Sequence, residues 1–333
     1  MTSPSSSKTE DRANDAGSSL APLPLIGQPQ RLDRLAVALL LSIGLTLVYF
    51  YGFVPLFVKG MFSNGVSSVA AWAWQAWNPQ MNQEHSKMVP FISLGLVWYH
   101  RREIARAEKR GLNMGLLFVG AGLLLFLLSA RCLQPRFALA SVPFLIYGSV
   151  LYLWGREVAR IVLFPCAFLI FMVPVAAIEQ GTFRLQFLIT DLIGFLSNLV
   201  GIRIQAIGTT LTAADGSFNF EIAEGCSGIR SLTAMAMITA IYVHLTQDKL
   251  WKKFTIFAFS IVFAIAGNVG RIFTVILVAK FINPKLAAGI YHEYSGFLFF
   301  PIALVAMVLF GKLLNARSRK SVPLQRTADS APL

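Results

Sequence analysis

Charge is scarce in this chain. Only 14% of its 333 residues are Asp, Glu, Lys or Arg, against about 25% in a soluble globular domain, which excludes an ordinary water-soluble protein. Acidic residues are the scarcer sign, 16 against 29 basic ones. Cysteine is nearly absent as well: Cys132, Cys166 and Cys226 are too few and too scattered for a disulfide framework, and no pair has metal-ligand spacing. Any cysteine chemistry therefore belongs to one thiol acting alone. A Walker loop, a His-Glu-x-x-His zinc motif, a paired-carboxylate motif and a Gly-x-Ser-x-Gly elbow are all missing, which removes the commonest hydrolase and nucleotide-binding signatures. No metal or organic cofactor is implied.

What is abundant is apolar. Hydrophobic residues make up 56% of the chain and the mean hydropathy is +0.63. Runs of membrane-spanning length recur, so the expected fold is an all-α integral membrane protein. The candidate spans are 35–57, 88–99, 112–130, 137–154, 161–178, 227–245, 254–281 and 296–314, eight in all. The run 88–99 is short and needs the polar flank around His85 to complete a crossing. Residues 1–34 and 315–333 read as a polar and a basic tail around one membrane domain, 35–314. The first run starts too late and is too long for a secretory leader.

The net charge of +13 reads as topology and not as a nucleic-acid-binding face. Arg101 to Arg110, Arg156 with Arg160, Lys249 to Lys253, and Arg317 to Arg326 all fall on one side of an eight-span chain. By the positive-inside bias that side is cytoplasmic, with both termini inside a cytoplasmic (inner) membrane. The outward side receives 179–225, too polar for one more span. Within it Phe183, Phe187, Leu188, Leu192, Phe195 and Leu199 recur at helical spacing, as in an amphipathic helix on the outer membrane surface. Residues 204–211 and 218–222, separated by Asp215-Gly216, carry a β-hairpin signal before span six.

The chemistry-bearing residues lie on the outward side. In Glu224-Gly225-Cys226-Ser227-Gly228-Ile229-Arg230 the thiol stands where a loop becomes a helix. Unpaired N–H groups, the helix dipole and Arg230 there favour a thiolate, while Gly225 and Gly228 leave room for a substrate backbone. Arg271, with Asn268 one turn before it, lies about 27 Å up the seventh span at 1.5 Å per residue. It either snorkels to the outer headgroups or belongs to a packed polar site. His292 precedes span eight at the same level and suits proton transfer near neutral pH. His85 and Glu84 precede span two and either line the same cavity or sit at the interface. His100 and His244 fall at the cytoplasmic end, and Cys132 and Cys166 read as packing residues. Gly115, Gly120, Gly122 and Gly267 are expected to let helices approach closely.

The order Glu224-Gly225-Cys226-Ser227-Gly228-Ile229-Arg230-Ser231, Asn268-x-x-Arg271 and His292-x-x-x-Gly296 on successive spans resembles the exosortase/archaeosortase family. His85-Ser86-Lys87-Met88-Val89-Pro90, where Ser86 stands at a common Gly position, and the prolines of Phe164-Pro165 and Val173-Pro174 extend the resemblance. It implies a membrane cysteine transpeptidase that reads a C-terminal sorting signal on exported proteins: a Pro-containing motif, a transmembrane helix and a basic end. It further implies Cys226 as nucleophile, Arg271 as oxyanion stabiliser and His292 as general acid and base, with a glycan or lipid amine, or water, as acceptor. The lipid bilayer is the other partner. Two readings compete: a transferase acting on lipid-linked substrates, in which Arg271 binds phosphate and Cys226 only packs, and a non-enzymatic transporter or export partner.

Overall fold

The computed structural model describes residues 29–56, 68–78, 83–174, 176–221 and 228–320. They are overwhelmingly helical. Five helices are long and apolar enough to cross a membrane: Gly115–Cys132, Pro135–Met172, Ile229–Thr246, Leu250–Phe281 and Pro284–Ala316. The eight runs expected from the sequence map onto these and two shorter helices. The helix α1 (Pro29–Gly52) contains the apolar stretch Val37–Gly52 and begins inside the expected tail. The run 88–99 becomes α3 (Val89–Tyr99), only about 16 Å long at 1.5 Å per residue. Between them lies α2 (Val69–Ala76), and α4 (Arg101–Arg106) follows.

The expected span four and the first part of span five, 161–168, lie in α6 (Pro135–Phe168), which is broken at Gly155. The rest of span five falls in the turn that follows and at the start of α7 (Ala176–Leu199). Gly155 has φ +81°, and a Cβ there would lie 1.6 Å from the Arg110 carbonyl oxygen. Only glycine satisfies both constraints. The two arms fold back on each other: Val150 clusters with Val158 and Val162 near the break, and Ala138 and Leu139 with Phe168 and Met172 far from it. α5 (Gly115–Cys132) packs on the first arm through glycine. A Cβ at Gly115 would stand 2.4 Å from the Tyr152 nitrogen, and Gly122 lies against Leu145. Gly120 differs from the expectation, facing open space. Cys166 is buried as expected, but Cys132 is exposed and fills no core position.

After Phe168 the second arm tightens into a 3-10 turn, Leu169–Met172, that ends at Pro174. Carbonyls released by proline and by the change of helix type need new donors. Ser93 Oγ donates to the Pro165 oxygen at 2.7 Å, Ser86 Oγ to the Phe171 oxygen at 3.2 Å, and Trp77 Nε1 to the Met172 oxygen at 2.8 Å. These bonds pin α3 and the residues before it to the end of α6 and the turn that follows it.

The second half of the molecule is an antiparallel group of α8 (Ile229–Thr246), α9 (Leu250–Phe281) and α11 (His292–Lys320). Met235, Ala264 and Ala303 form one contact layer, and Val243, Ile256 and Met307 the next. Lys252 Nζ donates to Asn315 Oδ1 at 2.8 Å, closing one end. α9 is about 48 Å long at 1.5 Å per residue, longer than a hydrocarbon core of about 30 Å. Its excess length carries Ile272, Val275, Ile276 and Ala279, on which α7 (Ala176–Leu199) and a small sheet pack.

The sheet corrects the expected hairpin. Residues 204–211 are two strands and not one: β1 (Ile204–Ile207) and β2 (Thr210–Ala213) turn at Gly208, which has φ +65°. β3 (Asn219–Glu221) then pairs with β2, giving an antiparallel meander β1-β2-β3. The second turn forms as expected, with Asp215 Oδ1 accepting from the Ser217 amide and hydroxyl. α7 is amphipathic, as expected. It buries Gln186, Ile189, Thr190, Ile193 and Ser197 against the sheet and α9, leaving Phe187, Leu188, Phe195 and Leu199 exposed.

The basic clusters share one end of the bundle. Arg110 meets the Gly155 break beside Arg156, the His100 and His244 rings lie 5.5 Å apart, and Lys252 reaches Asn315. The sheet lies at the other end, tied to α9 by the ion pair between Lys280 and Asp215. Lys280 and the Ser217 donors hold the exposed Asp215 carboxyl well below the usual carboxylate range.

Candidate functional site

Arg271 is a costly residue on α9, since a cation near a membrane centre costs about 2.5–3.5 kcal/mol. It does not snorkel outward. Its Nε donates to Ser295 Oγ at 3.2 Å and its Nη2 to the His292 carbonyl oxygen at 3.2 Å. Hydrogen bonds to a charged group contribute about 1.5–3 kcal/mol each, so the two together hold the guanidinium between the helices. Ser295, 3% exposed, also donates to the His292 oxygen at 3.0 Å. Gly296 faces the guanidinium, with its Cβ position 4.0 Å from Arg271 Cζ. Arg271 and the first turn of α11 are thus one unit.

His292 opens α11 directly after a π-helical turn, Ala287–Tyr291, broken at Gly289. Asn283 caps the short helix α10 (Pro284–Leu286), accepting from the Lys285 and Leu286 amides. This compact return lets His292, 21 residues beyond Arg271 in sequence, come back to it.

Asn268 lies one turn below Arg271 and is 4% exposed. Its side chain occupies the space in front of Gly228: a Cβ at Gly228 would stand 2.7 Å from Asn268 Nδ2. Gly228 also has φ +79°, a left-handed conformation that L side chains adopt at a cost of about 1–2 kcal/mol. The glycine read from the sequence as room for substrate is instead room for Asn268. Gly228 begins α8, and Ser231 Oγ donates back to its carbonyl at 2.8 Å. Beneath these groups a cavity of about 40 Å³ is bounded by Ser231, Asn268, Arg271, Gly296 and Phe299, large enough for a water molecule.

The residue pair before α3 reaches the same end. Glu84 Oε1 lies 3.7 Å from Arg230 Nη2, both side chains about half exposed, a pair of small energetic weight. Arg230, expected to support a thiolate, therefore has a carboxylate beside it. His85 is partly buried, and among the described residues its Nε2 has no hydrogen-bond partner. Burial pushes its protonation down, opposed by the Glu84 carboxylate, so the imidazole is neutral at neutral pH. Ser86, at a position where the resemblance expects glycine, is fully buried and donates to the Phe171 oxygen.

Glu224, Gly225, Cys226 and Ser227 lie outside the described residues. The next residue is Gly228, so the described site stops two positions after the thiol. Of the other expected residues, Gly228, Asn268, Arg271 and His292 come together, and Arg230 meets Glu84 beside His85. Ser231 and Ser295 were not read as site residues. Ser295 had a signal available, lying three residues after His292 and one before Gly296, on the helical face of His292.

A family model described as transmembrane exosortase matches residues 74–309. The chain belongs to the exosortase family. The match takes in α3, the α5–α6 unit, α7, the sheet, α8, α9 and most of α11, and with them every candidate residue named above. Searches of curated proteins and of solved structures returned no match. Exosortases are membrane proteins with several apolar helices, and the five long helices here agree with that. Among the described residues no cluster of three metal-binding side chains occurs.

Proposed function

We propose that the protein is a sorting transpeptidase that cleaves the C-terminal signals of exported proteins at the outward face of the cytoplasmic membrane. The Cys226 thiolate attacks the scissile carbonyl and a C–S bond forms. Arg271 stabilises the tetrahedral oxyanion. Collapse breaks the C–N bond, and the leaving amine takes its proton from His292. An amine of a glycan or lipid, or water, then gives a proton to His292 and attacks the thioester, releasing the thiolate. The substrate is held by its own membrane helix, which brings the cleavage site to this level.

The observation that supports this reading is the joining of Arg271 to the His292 turn through Ser295, next to Asn268 and the start of α8 that follows Cys226. A packing arginine needs no such convergence from three helices, whereas an oxyanion site requires a fixed guanidinium. The test is mass spectrometry of C-terminal peptides from cells carrying the native protein or Cys226→Ala at equal expression. Exported proteins that keep an apolar helix and basic end only in the variant are the expected result. Unchanged processing rejects Cys226 as the essential nucleophile and favours transfer from a lipid-linked substrate.

A further inference from the structure

The largest cavity among those described has no part in the Arg271 site. It is a groove of about 410 Å³ between α5 and the two arms of α6, lined by Phe118, Phe144, Tyr147, Leu163, Ala167 and Ile170, with Pro143 and Cys166 also contributing. Its outer wall is open: Leu163 is 50% and Ile170 47% exposed. In a membrane protein that opening faces acyl chains and not water.

The second arm of α6 carries an exposed stripe at helical spacing, Arg156, Arg160, Leu163, Ala167 and Ile170. Steps of four, three, four and three keep these residues on one face. Two arginines therefore stand directly below the groove wall, at the basic end of the bundle. From Arg160 to Ile170 the stripe rises about 15 Å at 1.5 Å per residue, half of a hydrocarbon core of about 30 Å. The groove has the depth of a single leaflet. A membrane helix, about 10–12 Å across and needing the whole core, does not fit it; one extended acyl chain does.

We propose that this groove binds one anionic phospholipid of the adjoining leaflet, with its phosphate at Arg156 and Arg160 and one acyl chain along Leu163, Ala167 and Ile170. Glu157 lies 3.6 Å from Arg160, but both side chains are more than half exposed, so this pair is weak and yields to a phosphate. Glu108, paired with Arg110 at 2.7 Å, and Glu103, paired with His100 at 3.2 Å, are further carboxylates at this end, each with its own partner. The site holds the hairpin at a defined depth and does not depend on the sorting reaction.

The test is native mass spectrometry of the full-length protein in detergent, titrated with phosphatidylglycerol or phosphatidylcholine. Phosphatidylglycerol is expected to be retained about tenfold more tightly. Arg156→Gln with Arg160→Gln should bring it down to the phosphatidylcholine level, and Arg160→Lys should keep the preference. Ala167→Phe, at an exposed position that leaves the core untouched, should remove both lipids while thermal unfolding stays native. Equal retention of the two lipids by the native protein, or unchanged retention in Ala167→Phe, overturns the proposal. A photoreactive residue at Ile170 that captures a protein helix in cells, and not lipid, also overturns it.

Discussion

Both halves of the bundle use close glycine contacts and buried serines, but they differ in where a charged side chain is held between helices. In the α5–α6 half, backbones meet directly at Gly115 and Gly122, and the surface away from that contact is almost wholly apolar, with Leu116, Leu117, Leu124 and Leu127 exposed. In the α8–α9–α11 half, polar groups are buried between helices: Asn268, Ser295 and Ser260 are all at most 4% exposed. Arg271 is held there by two hydrogen bonds. Close glycine contacts let helices associate by dispersion, which needs no polar partner. Burying polar side chains is costly unless each is satisfied. Asn268, Arg271 and Ser295 gather beneath the start of α8, while Ser260 lies about 12 Å from Asn268 along α9 and is satisfied by its own helix at the Phe257 oxygen. Under the proposed function, the contrast separates an anchoring half from the half that presents chemistry.

Arg271→Ala breaks the second half where it matters most. Signal processing is expected to fall by about two to three orders of magnitude, the loss typical of a missing oxyanion donor, with membrane insertion retained. Quantitative mass spectrometry of C-terminal peptides measures it, and processing within a few-fold of native rejects the role. Gly115→Leu strikes the first half. A side chain cannot fit 2.4 Å from the Tyr152 nitrogen, so α5 must separate from α6 at a cost of several kcal/mol. Thermal unfolding should drop sharply while processing per folded molecule is kept. Loss of processing without loss of stability would erase the division between the halves.

A finer test uses Gly228→Ala, which meets both a left-handed backbone and Asn268. About 1–2 kcal/mol of conformational strain remains whatever its neighbour, but pairing it with Asn268→Ala relieves the steric part. A double variant no more stable than the sum of the singles would show that the two residues do not press on each other. The smallest effect is expected at Asp215→Asn. The carboxyl is held low by Lys280, so its stabilisation is complete at neutral pH and is lost only as pH falls through the depressed value. Hydrogen exchange in β1 to β3 should quicken at neutral pH in the variant, and the native sheet should approach that rate only in strong acid.

Much of this was legible from hydropathy and position. Four of the expected spans coincide closely with α5, α8, α9 and α11, because an apolar run of that length has no other stable state in a bilayer. The expected common depth of Cys226, Arg271 and His292 comes from counting residues along antiparallel spans; the structure joins Arg271 to the His292 turn, and Cys226 lies outside the described residues. The break at Gly155 was harder to see, since one glycine among helix formers has no signature until Arg110 packs on it. Gly208 hid in an apolar β-branched run for a similar reason: turning two strands there depended on α7 and α9 covering the face that β1 and β2 share.

By itself the sequence determined a chain of apolar helices with its positive charge gathered in a few loops, and the order in which Cys226, Arg271 and His292 follow one another along the later apolar runs. Those are properties of composition and linear spacing, which hydrophobic length and backbone hydrogen bonding convert directly into membrane helices. Only the tertiary structure decided that Arg271 turns inward to Ser295 and the His292 carbonyl, that Gly228 makes way for Asn268, and that α6 folds back at Gly155. Each of these depends on which side chain another helix brings within about 3 Å, a distance set by packing between segments and carried by no one of them.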